Sequence, residues 1–256
     1  MNIVAVLMLK NENRLIPYLN KRNPPYTMLE QCLSKVAEIA DGIIIIDNGS
    51  TDGSQEVYNR FANKILEIKY NLPDLKFNDI RDRSWLLEKA SETKAKFMLQ
   101  VDGDEVHEDA GIKWIKDYAE NNASPVQILF PFINLWRSRD RYRTDKWNNS
   151  KQPRMWYLPD LRINGGSHEL KGIIHSYAFD YPFGYPVKVA DTKVIHYGWA
   201  DWEHRRNKSL RYAQQESEIT GKPLQECINW YTNADLNEDG LNLAIPNKEW
   251  LAEFRK

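Results

Sequence analysis

The sequence predicts an α/β chain with a Rossmann-like, mainly parallel central sheet flanked by helices, followed by a C-terminal helical extension. Three observations carry that expectation. Residues 3–9 and 43–46 are continuous apolar runs of strand length without alternation, as strands buried on both faces require. Segments with helical apolar spacing follow each of them. With 42% hydrophobic and 28% charged residues among 256, the chain can build a real core and is too apolar for disorder.

The first run stops at Lys10-Asn11-Glu12. From Thr27, the residues Met28, Leu29, Cys32, Leu33, Val36, Ala37 and Ala40 keep helical spacing, and Thr27 with Glu30 forms a capping box. Asp41-Gly42 ends that helix. Four isoleucines at 43–46 form the next buried strand, which runs into Asp47-Asn48-Gly49-Ser50-Thr51-Asp52-Gly53-Ser54. Val57, Tyr58, Phe61 and Ala62 share one face of a second helix. Residues 65–70 read as a third strand, 84–91 as a third helix with Trp85, Leu86 and Ala90, and 96–101 as a strand ending in Asp102-Gly103-Asp104-Glu105. Such alternation winds a sheet through right-handed crossovers, and ligands then sit beyond the carboxyl ends of the strands. Three of these ends carry Glu12, Asp47 and the cluster at Asp102, so these ends are expected to be neighbours.

After Pro125 the rhythm changes. Residues 126–132 read as a strand, 134–161 as a loop-rich stretch with Trp136, Trp147, Trp156 and many arginines, 188–196 as a last strand, and 202–219 as a polar helix. No linker, repeat or low-complexity tract divides the chain, which predicts one domain over 1–200 with a helical extension over 201–256 packed on it.

Composition excludes several classes. A formal charge of −1 announces no polyanionic partner, and no run of 18 apolar residues spans a membrane. The run at 3–9 lacks a basic leader, which argues against a signal peptide. Cys32 and Cys227 stand far apart in a chain that needs no staples, which predicts reduced thiols in a cytoplasmic protein; Asn207-Lys208-Ser209 then carries no glycan. Asp235, Asn237, Asp239 and Gly240 imitate a calcium loop, but the closing position is Pro246, so a turn is expected. Arg137, Arg139, Arg141 and Arg143 alternate beside Trp136 and Tyr142; in a slightly acidic chain this is a solvated rim or an acceptor rim, not a nucleic-acid surface. Nine Trp and 13 Tyr exceed what the core needs, and Trp147, Trp156, Tyr157, Trp199 and Trp202 are candidates to stack on sugar rings.

Residues 97–112 contain no Lys or Arg, yet hold Asp102, Asp104, Glu105, Glu108, Asp109 and His107. Two carboxylates 4 Å apart repel by roughly 4 kcal/mol at an effective dielectric near 20, so their convergence calls for a cation, either a metal or an arginine. Asp102 and Asp104 share one side of extended backbone, with Gly103 permitting a tight bend between them. A hard divalent ion, Mg²⁺ or Mn²⁺, suits oxygen ligands and completes its shell with substrate phosphates, which points to a nucleoside diphosphate. An Asp-x-Asp pair alone is common on surface loops; its place at the end of a buried strand sets this one apart.

Lys10-Asn11-Glu12, then Asp47 to Ser54, then residues 77–81, then Asp102-Gly103-Asp104-Glu105, in this order and spacing, resemble the family 2 glycosyltransferases of GT-A fold. The resemblance is strong over about the first 110 residues, and thins to Arg154, Gly166-Ser167-His168-Glu169 and Val194-Ile195-His196-Tyr197-Gly198-Trp199. It implies a nucleotide-binding half over about 1–110 and an acceptor half over about 111–200. It also implies that Asp47 hydrogen-bonds the base, that Lys10 and Glu12 wall its pocket, and that Arg81, with Arg83 as substitute, contacts the nucleotide. Asp102 and Gly103 face the ribose or a metal-bound water, Asp104 ligates the metal, and His196 completes the metal site. Where the family has Asn after the arginine, this chain has Asp82.

The metal would stabilise the departing diphosphate, and an incoming hydroxyl needs a base. Glu169, after the flexible Gly165-Gly166-Ser167-His168, is the base candidate; His168 is the alternative, with Asp145 and Asp160 weaker and His175 weighed as a structural histidine. The expected activity is metal-dependent and inverting, by single displacement, with a nucleoside-diphosphate sugar, UDP first, as donor and a hydroxyl of a glycan, glycoprotein or lipid-linked acceptor. A nucleotidyltransferase acting on a sugar phosphate and a non-catalytic carbohydrate-binding protein are the alternatives. Nucleic acid and an integral membrane segment are not expected, and a lipid-linked acceptor would be met by peripheral contact from the cytoplasm.

Overall fold

Residues 3–9 and 43–46 lie where their lack of alternation requires, between two layers of helices. The computed structural model describes residues 1–15, 27–72, 75, 78–137, 141–144, 151–163, 179–180, 186–236 and 243–244. In chain order the first half holds β1 (Ile3–Leu9), α1 (Met28–Ile39), β2 (Gly42–Asp47), α2 (Ser54–Arg60), β3 (Ile65–Tyr70), α3 (Asp79–Glu92), β4 (Phe97–Asp102), β5 (Glu105–His107) and α4 (Asp109–Asn121). The second half holds β6 (Gln127–Asn134), β7 (Tyr142–Arg143), β8 (Lys151–Tyr157), β9 (Arg162–Ile163), β10 (Phe179–Asp180), β11 (Val187–Val189), β12 (Val194–His196), α5 (Trp202–Thr220), α6 (Leu224–Leu236) and β13 (Leu243–Ala244). Among the described residues no helix is long and apolar enough to cross a membrane.

The main sheet runs β3-β2-β1-β4-β8-β6-β12-β5, with β11 also on β6. Its first four strands are parallel, in the order 3-2-1-4 of a doubly wound sheet. Beyond β4 the sheet is mixed: β8 is antiparallel to β4 and to β6, and β5 is antiparallel to β12. The sheet is mainly parallel, as expected, and the antiparallel β8 falls within the stretch read as loop. Two further boundaries differ. The strand expected at 188–196 is two strands, β11 and β12, and α3 begins at Asp79, where Asn78 caps it by accepting from the Arg81 N–H.

One face of the sheet packs Ile3, Ala5, Leu7, Leu9, Ile43 and Ile45 against Leu29, Leu33 and Val36 of α1 and Ile115 of α4. The other packs Val4, Val6, Ile44 and Ile46 against Leu86 and Ala90 of α3. Each fully buried aliphatic side chain contributes about 1.5–3 kcal/mol, so both faces must be covered for the strands to stay in place. Thr27 caps α1 through its side chain, which accepts from the Glu30 N–H at 3.2 Å. Because α1 leaves β1 on one side and α3 enters β4 on the other, the carboxyl ends of β1 and β4 flank the point where the winding reverses.

Candidate active site at the strand ends

The loop after β1 is stitched to the loop after β2. The Asn11 N–H donates to Ser50 Oγ at 2.9 Å, the Thr51 N–H to Asn11 Oδ1 at 2.8 Å, and the Asn13 N–H to Asp52 Oδ2 at 2.7 Å. Asn11 adopts φ 55°, a conformation that Asn tolerates better than most side chains. The polar Asn-Gly-Ser-Thr-Asp stretch thus fixes the position of Glu12.

Register decides which side chains face each other. Leu9 pairs with Asp47, whereas Met8 pairs with Asp102, so Asp47 and Asp102 close the two strands that flank β1 but lie on opposite faces of the sheet. Asp47 is fully buried, and its oxygens accept from the Ser50 N–H at 2.6 Å and the Tyr58 hydroxyl at 3.0 Å. Asp47 thereby holds the loop that follows β2. The next residue, Asn48, falls on the Asp102 side. Its Oδ1 accepts from Asn71 Nδ2 at 2.7 Å, and that amide also reaches Asp82 on α3 at 3.4 Å. Arg81 makes a two-pronged pair with Asp82, at 2.8 and 3.0 Å. Arg83 donates from Nη1 to Gln100 Oε1 at 2.7 Å, two residues before Asp102 on the same face, which makes it the arginine of α3 nearer the acidic cluster by register.

The arginine that the acidic cluster calls for is Arg154 on β8. Its Nε donates to Glu105 Oε2 at 2.9 Å and its Nη2 to Asp102 Oδ2 at 3.0 Å, and Phe132 lies under the guanidinium at 5.1 Å. Burial would raise the Asp102 carboxyl, but the Arg154 charge beside it holds it below the usual carboxylate range. Glu105 is more deeply enclosed, and burial pushes its carboxyl up to about 8 against the pull of Arg154. β8 escaped the sequence reading because Pro153 interrupts it, and a central strand rarely holds proline. The structure accommodates Pro153 opposite Leu129, at the irregularity in the β6–β8 register.

Asp104 has a different set of neighbours. Lys208 Nζ donates to its Oδ2 at 3.0 Å, with His196 Nε2 at 3.5 Å and His204 Nε2 at 3.9 Å. Burial works against charge here too, yet the Lys208 ammonium beside it holds the Asp104 carboxyl well below its usual range. His196 Nδ1 lies 2.8 Å from Asn134 Oδ1; with the proton on that nitrogen, Nε2 turns its lone pair toward Asp104. Glu12, Asp104 and His204 bring one ligand atom each within 4.8 Å of one another. Burial, and then the nearby Asp104 charge, push the Glu12 carboxyl up to about 7. His204 Nε2 is buried with no hydrogen-bond partner. A carboxylate pair and an imidazole nitrogen left unpaired suit a borderline or hard divalent ion such as Mn²⁺. Two glycines make the approach possible. A Cβ on Gly103 would lie 2.7 Å from Glu12 Cγ, and one on Gly198 would lie 2.5 Å from Asp104 Oδ2.

Of the expected residues, Glu12, Gly103, Asp104 and His196 come together. Lys10 is half-buried at the end of β1, and Asp102 is turned to Arg154 rather than to the Glu12–Asp104–His204 group. His204 and Lys208 were missed because α5 reads as a polar helix, although their i,i+4 spacing places them on one face. Glu169, His168, His175 and Asp145 lie outside the described residues, as does the side chain of Asp160. So do Trp147 and residues 237–242, with most of the apparent calcium loop.

The model of glycosyl transferase family 2 matches residues 15–178, more than half of the chain. Among solved structures, S. aureus TarS 1–349 in complex with UDP is 14% identical with a TM-score of 0.44, covering 93% of this chain and 74% of that one. The full TarS structure is 12% identical with a TM-score of 0.43, and this chain spans 44% of it. Glucosyl-3-phosphoglycerate synthase from Mycobacterium tuberculosis, in complex with Mn²⁺, UDP and phosphoglyceric acid, is 15% identical with a TM-score of 0.34 over 52% of this chain and 43% of that one. No curated protein matches the chain. The family match spans the ends of β2 and β4, with Asp47 and Asp102 to Glu105, while Glu12, His196 and His204 lie outside it; the chain belongs to glycosyl transferase family 2 and is a glycosyltransferase.

Proposed function

We propose that the protein transfers a sugar from a nucleoside-diphosphate donor to a hydroxyl of a glycan or glycoconjugate, with inversion and with a divalent cation at Asp104. One observation carries the reading. Glu12, Asp104 and His204 converge beside the point where the winding reverses, and the buried His204 Nε2 has no other partner. Glu12, Asp104 and His204 would hold the ion, with His196 next to Asp104. When bound, the ion supplies Lewis-acid stabilisation of charge on the departing diphosphate.

The chain's own residues supply the rest. Arg154 fixes Asp102 and Glu105, so the turn at Gly103 presents Asp104 in one orientation. Asn48 and Arg83, on the Asp102 face, are placed to meet the nucleoside side of the donor, and Lys10 its edge; Asp47 acts by holding the loop that carries Asn48. Glu169 remains the proposed base for the acceptor hydroxyl, with His168 as alternative. Residues 1–200 together with α5, which supplies His204 and Lys208, form the transferase unit.

A thermal-shift screen of UDP, GDP, TDP and CDP sugars, with Mn²⁺ and with chelator, tests this reading. A ligand at a hundredfold excess over its Kd stabilises the fold by about 2.7 kcal/mol. One nucleotide sugar should raise the melting temperature with Mn²⁺ and lose that effect in Asp104→Ala. Incorporation of a nucleoside monophosphate would favour a nucleotidyltransferase, and glycan binding indifferent to nucleotide a binding protein.

A further inference from the structure

Helix α5 brings two groups to one carboxylate. His204 Nε2 stands 3.9 Å from Asp104 Oδ2, and Lys208, one turn later, donates to the same oxygen at 3.0 Å. Lys208 is 9% exposed, with the Trp199 ring at 5.4 Å and the Tyr212 ring at 6.0 Å from its Nζ. Among the described residues its one ion pair is with Asp104. A Cβ built on Gly198 would lie 2.5 Å from Asp104 Oδ2, 2.6 Å from His196 Nε2 and 2.6 Å from Lys208 Nζ. Carboxylate, imidazole and ammonium thus surround one small space.

We propose that Lys208 is a resident counter-ion for Asp104 and that its ammonium competes with the divalent cation for Asp104 Oδ2. The inference rests on the reading of Glu12, Asp104 and His204 as the metal group. The physical reason is that a buried carboxylate is costly without a cation, and Lys208 supplies one in the metal-free protein. Two cations on one oxygen would stand a few ångströms apart in an enclosed site where their repulsion is poorly screened. The four-carbon stem of lysine lets the ammonium turn aside without unfolding the helix that carries it. The metal-free site is therefore held shut by charge, at the expense of affinity for the ion.

The test is titration of Mn²⁺ alone, followed by the electron paramagnetic resonance signal of the free ion, into wild type, Lys208→Met and Lys208→Arg. Lys208→Met should bind Mn²⁺ at least tenfold more tightly than wild type, and Lys208→Arg no more tightly. Equal or weaker binding by a folded Lys208→Met overturns the counter-ion role and leaves the metal reading standing. No binding to wild type or to either variant overturns the metal reading, and this inference with it. If Lys208→Met does not fold, wild type decides: Mn²⁺ should speed acetylation of Lys208, read by mass spectrometry, and an unchanged rate overturns the proposal.

Discussion

Replacing Arg154 with Met removes the cation that two acidic residues share. The guanidinium donates from Nε to Glu105 at 2.9 Å and from Nη2 to Asp102 at 3.0 Å. The Glu105 side chain is 1% exposed, whereas that of Asp102 is 42% exposed, so solvent screens the Asp102 share and the Glu105 share dominates. At pH 9, above the value of about 8 to which burial pushes Glu105, the pair is ionised, and breaking it from one side costs about 3–5 kcal/mol because the remaining charge is stranded. With a urea m value of about 3 kcal/mol/M, a loss of 4 kcal/mol moves the unfolding midpoint down by about 1.3 M. Urea titration followed by tryptophan fluorescence reads this directly. Arg154→Lys should recover only part of the loss, since an ammonium cannot donate in two parallel prongs. The double variant Arg154→Met with Glu105→Leu should lose less than Arg154→Met alone, because no buried charge is left behind. A midpoint within 0.3 M of wild type for Arg154→Met, about 1 kcal/mol, would refute the claim that this arginine is what lets the acidic residues converge.

Other expectations follow from single contacts. Gly198→Ala should weaken Mn²⁺ binding with little loss of secondary structure, since its methyl would press on Asp104, His196 and Lys208; isothermal titration with the ion checks this. Tyr58→Phe leaves buried Asp47 one donor short and should cost about 1–3 kcal/mol, measured by thermal unfolding. Between pH 6.5 and 8 the chelated protein should melt at progressively lower temperature as pH rises; below that range His107, His196 and His204, held neutral in the fold by burial but protonated in the unfolded chain, oppose the slope. Glu12 and Glu105 stay protonated in the fold up to about 7 and 8, while the unfolded chain releases these protons near 4.5, so deprotonation favours unfolding across that window. Glu12→Gln with Glu105→Gln should flatten the slope, and a double variant as steep as wild type would contradict the assignment.

The parallel half of the sheet was legible because its signals are local. Continuous apolar runs at β1 and β2, and a Thr27–Glu30 cap on α1, each demand one structure without reference to the rest of the chain. Adjacency of the strand ends followed from winding rules. What sequence could not supply was the face on which each end residue points: Asp47 and Asp102 alike close a strand, but a one-residue difference in register against β1 sets them on opposite sides. The cations that neutralise the acidic cluster were hidden for another reason. Arg154 sits on a strand disguised by Pro153, and Lys208 and His204 sit on a helix whose polar face looks solvated in sequence yet covers the strand ends. Both contacts join residues 49 to 104 positions apart, beyond the reach of any local pattern.

The most direct measurement is anomalous diffraction from crystals grown with Mn²⁺ and the nucleotide sugar that stabilises the protein. The account predicts a manganese peak coordinated by Asp104 and His204, with Glu12 beside it and the diphosphate on its open side. A peak remote from Asp104, or a bound donor whose diphosphate is met by side chains alone with Mn²⁺ present, would contradict it.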